Sequence, residues 1–75
     1  MCMVKIVALG FLTKYVGGSV VEVKLDSPRR IREILDIPLE AQSRIIILVN
    51  NSPGNLDSIV DDDDTVTLMP IIGGG

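Results

Sequence analysis

The chain ends on three glycines, Gly73-Gly74-Gly75, after Pro70-Ile71-Ile72. The chemistry such an end can do belongs to its α-carboxylate. Glycine has no side chain and loses the most conformational freedom on ordering, so three in a row add nothing to a core and make a thin, bendable arm. The five residues from Ile71 would carry the carboxylate about 16–18 Å from the body, at about 3.3–3.6 Å each. An arm of this kind passes a channel too narrow for a Cβ. A carboxylate is a poor electrophile until it gains a leaving group, and ATP can supply one as an acyl-adenylate. A side chain beside the carbonyl would hinder both entry and attack. A frayed end or a cloning remnant would read the same from the tail alone, so the rest of the chain has to decide.

That remainder offers no competing chemistry. Histidine is absent and Cys2 is the only cysteine. This excludes an internal disulfide, a Cys-only metal cluster, a His-based metal site and a His-containing triad. No nucleophile–base pair is evident. Four adjacent carboxylates, Asp61 to Asp64, could meet a hard cation. Their spacing does not fit a calcium loop and alternate side chains would diverge, so a solvated turn is the expectation and no metal site is assigned. The net charge of −3 and pI near 4.6 argue against nucleic acid as a partner. No apolar run approaches membrane-spanning length and no signal-peptide pattern is present, so the expected location is the cytoplasm.

Seventy-five residues make one small domain, 47% hydrophobic and aliphatic rather than aromatic. Residues 3–12 read as a first strand, with Val4, Ile6 and Ala8 inward and Val7, Leu9 and Phe11 on the opposite face. Residues 13–18 form a turn. Residues 19–25 make a second strand, with Val21, Val23 and Leu25 inward, paired with the first as a hairpin. Ser27-Pro28 starts a helix that Pro38 ends near Asp36 or Ile37, with Ile31, Ile34 and Leu35 as its apolar stripe. Arg29, Arg30 and Arg32 on its other faces are read as a solvated surface rather than an anion patch.

Residues 39–43 connect to a third strand over residues 44–50. It is apolar on both sides and therefore central, with Ile45, Ile47 and Val49 on one face and Ile46 and Leu48 on the other. Residues 51–55 are dense turn chemistry. A very short strand near Leu56 follows. A last strand over residues 65–69 has Val66 and Leu68 inward and Thr65, Thr67 and Met69 outward, and Pro70 ends its pairing. The fold class is α+β, a mixed sheet of four to five strands with one helix on one face. The domain covers residues 1–70 and the flexible glycine-rich tail residues 71–75.

Taken together, these segments resemble the ubiquitin-like sulfur carriers of the β-grasp fold, the MoaD/ThiS family, which includes the archaeal small modifier proteins. Residues 5–17, KIVALGFLTKYVG, look like the family's first strand and following turn. Leu48-Val49-Asn50-Asn51 looks like its "VN" turn. LDSIVD at 56–61 and DDDTVTLMP at 62–70 look like its next two segments. Gly74-Gly75 then fall on the family's terminal Gly-Gly without a gap, with Gly73 at the variable position before them. Three positions depart from the pattern: Thr13 stands for the usual Arg, Asp63 for the turn Gly, and Ile71 for the second Pro of the molybdopterin branch.

The resemblance implies a ubiquitin-like (β-grasp) carrier that is a substrate rather than an enzyme. It implies adenylation of Gly75, next to Gly74, by a ubiquitin-type (E1-like) activating enzyme that uses ATP, the carrier itself binding no cofactor. A sulfur donor would then make a thiocarboxylate for molybdopterin, thiamine or tRNA thiolation, with molybdopterin synthase large subunit or thiazole synthase as a receiving partner. Two other readings stand beside it: a modifier joined to lysines through Gly-Gly, and a non-covalent interaction domain. The docking face is expected on the side away from the helix. There Leu9 and Met69 become neighbours if the first and last strands pair in parallel, with Pro53 at an adjacent turn. The partner-binding set is Leu9, Pro53, Met69, Pro70, Ile71, Ile72 and Gly73.

Overall fold

Alternation in the first and last strands sets the architecture. The structure, a computed structural model, describes residues 3–71. Its elements are β1 (Met3–Ala8), a 3-10 turn (Gly10–Leu12) running into α1 (Thr13–Val16), β2 (Val20–Lys24), β3 (Arg29–Arg30), α2 (Ile31–Ile34), α3 (Leu39–Gln42), β4 (Ile45–Val49), β5 (Ser52–Gly54), β6 (Ile59–Val60) and β7 (Thr65–Pro70). The main sheet has five strands in the order β2-β1-β7-β4-β5. The first and last strands of the chain pair in parallel, Ala8 opposite Leu68, and the other pairs are antiparallel. The expected mixed sheet is therefore present, with β7 at its centre and β4 in its interior.

The inward residues of β1 and β7, Val4, Ile6, Ala8, Val66 and Leu68, are all but sealed from solvent. Leu12, Ile31, Leu35, Ile37, Ala41, Leu56 and Val60 close over them in one core. Burying each Val, Leu or Ile of this core contributes about 1.5–3 kcal/mol before chain entropy is counted, and the two alanines less. All of that burial is on one side of the sheet. The helical layer covers the inner face and leaves the outer face bare.

Several boundaries differ from the sequence expectation, each for a physical reason. β1 stops at Ala8, because Gly10 turns the backbone at φ +60. Leu12 then swings into the core, its N–H bonded to the Leu9 carbonyl at 3.2 Å. The following turn is one helical turn closed by Gly17 at φ 100, whose N–H returns to Thr13. The helix starts at Ile31, not at Ser27-Pro28. Arg29 and Arg30 are held extended by pairing with Val60 and Ile59, and Glu33 takes the Arg30 N–H at 3.1 Å as the first-turn partner.

That helix lasts a single turn. Leu35 is extended, at φ −128 and ψ 135, and Ile37 precedes Pro38, which disfavours helix. The stripe of Ile31, Ile34 and Leu35 still faces the core. A second helical turn, α3, stands where a connector is expected, with the Pro38 carbonyl accepting from Ala41 and Gln42. Leu56 is buried in a turn rather than a strand.

Candidate functional site

β7 carries the chain from the core to the tail. Val66 and Leu68 anchor it, and alternation turns Thr65, Thr67 and Met69 outward. Pairing extends past the predicted end: Pro70 lies opposite Ile45, and the Ile71 N–H bonds the Arg44 carbonyl at 2.9 Å. The Ile71–Arg44 bond means that the Pro70 nitrogen faces the other side, where β1 has already turned away at Gly10. Its missing N–H therefore leaves no ladder bond unmade.

Register assembles the outer face into rows. One row runs Pro53, Leu48, Thr67, Val7, Val20 across β5, β4, β7, β1 and β2. The next row holds Ile46 opposite Met69. Leu9 follows Ala8 beside Met69, its N–H on the Leu68 carbonyl at 3.0 Å. Leu9 keeps 45% of its surface exposed, Ile46 42% and Val20 59%. Ile71, also exposed, ends the face where the tail begins. The face is thus largely apolar, with Thr67 within it, and it follows one strand as far as Ile71.

The parallel register of β1 on β7 places Leu9 next to Met69 on this face, the condition on which the sequence made them neighbours. Pro53 lies on the same face but inside edge strand β5, not at a turn, and sits two strands from β7. The turn is confined to Asn50-Asn51, at φ 52 and 70, the two-residue hairpin geometry that requires positive φ at both positions. Pro70 alternates to the helical side and packs on Gly10, where a Cβ would stand 3.3 Å from its Cγ. Ile72, Gly73, Gly74 and Gly75 lie outside the described residues. Ile46, Leu48, Val7 and Val20 belong to the face but were absent from the predicted set. For Ile46 and Leu48 the signal was an apolar residue at both middle outward positions of the 44–50 strand, taken as centrality alone; Val7 was read on the outer face without being placed in the docking set.

The charged segments do not build a second site. Arg29 pairs with Glu33 at 3.3 Å and Arg32 with Asp57 at 2.7 Å, on the surface. The acidic run closes on itself as a turn. The Asp61 N–H bonds the Asp64 carboxylate at 2.8 Å, Asp63 takes φ 69, and the Asn50 side chain bridges to Asp64 and to the Thr65 N–H. Among the described residues no group of acidic or sulfur side chains could hold a metal ion, and no helix is long and apolar enough to cross a membrane.

No protein-family model matches the chain, and neither does any curated protein sequence. Among solved structures it is similar to SAMP1 from Haloferax volcanii, with a TM-score of 0.71 at 16% identity over 97% of this chain and 99% of that one. The fold is the ubiquitin-like β-grasp. At that identity the likeness establishes the fold, and the function has to be argued from the site.

Proposed function

We propose that this β-grasp domain is a ubiquitin-like carrier whose Gly75 carboxylate is activated by a partner enzyme and converted to a thiocarboxylate. The observation that carries the reading is the path of β7. The central strand brings Ile71, where the tail begins, to the margin of a largely apolar face, so docking by that face would present the glycine arm to the partner's reaction centre. Such presentation replaces a bimolecular encounter with a positioned one.

In the first step a Gly75 carboxylate oxygen attacks the α-phosphorus of ATP and pyrophosphate leaves. A sulfide or persulfide sulfur then adds to the carbonyl. AMP departs with the oxygen that bridged them, leaving C–S in place of C–O; with a persulfide donor, reductive cleavage of S–S by a thiol completes the transfer. ATP is the partner's cofactor and the chain supplies only the acyl group. Incubation with ATP, a ubiquitin-type activating enzyme and sulfide should raise the intact mass by the oxygen-to-sulfur difference. An unchanged mass with an enzyme that sulfurates its own carrier would refute it.

A second reading shares the activation step. The structural likeness to SAMP1, a ubiquitin-like small archaeal modifier protein, favours capture of the same acyl-adenylate by a lysine amine. That fate gives an isopeptide and a branched peptide on digestion. After Arg44 the chain has no further Lys or Arg, so the tryptic remnant on the target would run from Ile45 to Gly75.

A further inference from the structure

The arm does not leave the sheet freely. Its base is gripped from two sides. On one side the Arg44 carbonyl accepts the Ile71 N–H at 2.9 Å, one residue beyond the paired Ile45–Pro70 position. On the other, the turn after β1 lies against Pro70. That turn is built for close approach. Leu9 is tied to Leu68 by its N–H, and Leu12 bonds back to Leu9. Thr13 donates its hydroxyl to the Gly10 carbonyl at 3.2 Å. Gly10 itself sits at φ +60 and faces Pro70 closely: a Cβ there would meet the Pro70 Cγ at 3.3 Å, tighter than ordinary contact, and its Cδ at 3.9 Å.

We infer that Gly10 is a positioning residue for the tail: its missing Cβ lets the β1-exit turn clamp Pro70, which holds the Ile71 N–H on Arg44 and sets where the arm departs. A side chain at Gly10 would have to push Pro70 by a few tenths of an ångström. Pro70 adjoins Ile71 through one peptide, so the push falls on the last sheet bond. The inference has a consequence for the partner, which rests on the proposed function. With Ile71 anchored, four residues, Ile72 to Gly75, separate the anchor from the carboxylate. They reach at most about 13–14 Å, not the roughly 16–18 Å of an arm that is free from Ile71 onward. The partner's reaction centre must lie within that depth of the docking face.

The clamp is tested without a partner, by amide hydrogen exchange on the full chain. Gly10→Ala at φ +60 strains the turn and speeds exchange at Val4, Ile6 and Leu68 by a shared factor, but Ile71 should speed by about fivefold beyond that factor, the loss of about one net hydrogen bond. Gly10→Asn, which tolerates positive φ better but carries the same Cβ, should do likewise; it keeps the test open if the alanine variant folds poorly. In a Pro70→Ala background the same substitutions should have less than about half that effect, because the atoms they strike are gone. An equal factor in both backgrounds, or an Ile71 that speeds by no more than the shared factor, overturns the inference; a turn that merely strains its own loop gives the former.

Activity separates this from the reading it builds on. With the activating enzyme, Gly10→Ala should lower kcat more than it raises KM, since the docking face is intact and the arm is misdirected. Altered Ile71 exchange with no activation of Gly75 in either protein would leave the clamp standing and remove the proposed function. Normal exchange with normal activation in Gly10→Ala would do the reverse.

Discussion

If the outer face docks the activating enzyme, truncating Leu9 and Ile46 together must weaken that encounter by a calculable amount. Fully burying a leucine or isoleucine is worth about 1.5–3 kcal/mol. Leu9 retains 45% and Ile46 42% of its surface in the free domain. Docking can therefore draw on roughly two-fifths of that value per residue, about 0.6–1.3 kcal/mol each and about 1.3–2.6 for the pair. That corresponds to about a 10- to 80-fold rise in KM. The assay is ATP–pyrophosphate exchange with the activating enzyme, with the carrier varied and kcat read separately. The kcat should hold, because neither residue belongs to the arm. Leu39→Ala is the control: Leu39 is 80% exposed but stands in the helical layer, and its loss should leave KM alone. A Leu9→Ala/Ile46→Ala double variant within about twofold of wild type, under about 0.4 kcal/mol, would refute the docking assignment. So would an equal effect from Leu39→Ala.

Three further outcomes follow from the frame that holds the site. Asn50→Ala removes the side-chain bonds to Asp64 and the Thr65 N–H and forces alanine into φ 52; denaturant melts should show a loss of about 2 kcal/mol, and an unchanged midpoint would contradict this role for the hairpin. Asp63→Gly relieves φ 69 at an exposed turn and should stabilise by about 0.5–1 kcal/mol, whereas destabilisation would mean that the aspartate side chain matters more than its backbone. The Arg30 N–H chiefly, then the Arg29 guanidinium, hold the Glu33 carboxyl below its ordinary value near 4.5, against an opposing loss of hydration. Its ionised form thus stabilises the fold above that value, and the contribution vanishes as pH falls through the lowered folded value. Glu33→Gln should melt lower than wild type at neutral pH and converge with it in acid, and a gap that stayed constant into acid would be inconsistent with that.

Alternation made the site's frame readable before any coordinates. Val66 and Leu68 against Thr65, Thr67 and Met69 gave β7 both its type and its facing, and Ile45 to Val49, apolar on both sides, gave an interior strand. The elements that moved are those where long-range pairing outvoted a local signal. Ser27-Pro28 is a good helix start, but Arg29 and Arg30 are taken by Ile59 and Val60, a partner about thirty residues away that no local window sees. Pro53 reads as turn because proline interrupts strands; β5 is the sheet's edge, where the missing N–H faces no neighbour. Pro70 misleads for the same reason at the other end of the face. The Gly10–Pro70 contact was not legible at all. A glycine after a strand signals a turn, but only the parallel register of β1 on β7 shows what lies against it.

The central claim is that this body serves a reactive acyl end. It is tested most directly by the intact mass and C-terminal peptide of the protein isolated from its native cells under conditions that preserve thioacids. The account predicts a fraction ending in a Gly75 thiocarboxylate or joined through Gly75 to a lysine amine, and abolished by deletion of Gly74-Gly75. Gly75 found solely as a free carboxylate, in cells whose activating enzyme is present and working on other carriers, would contradict it.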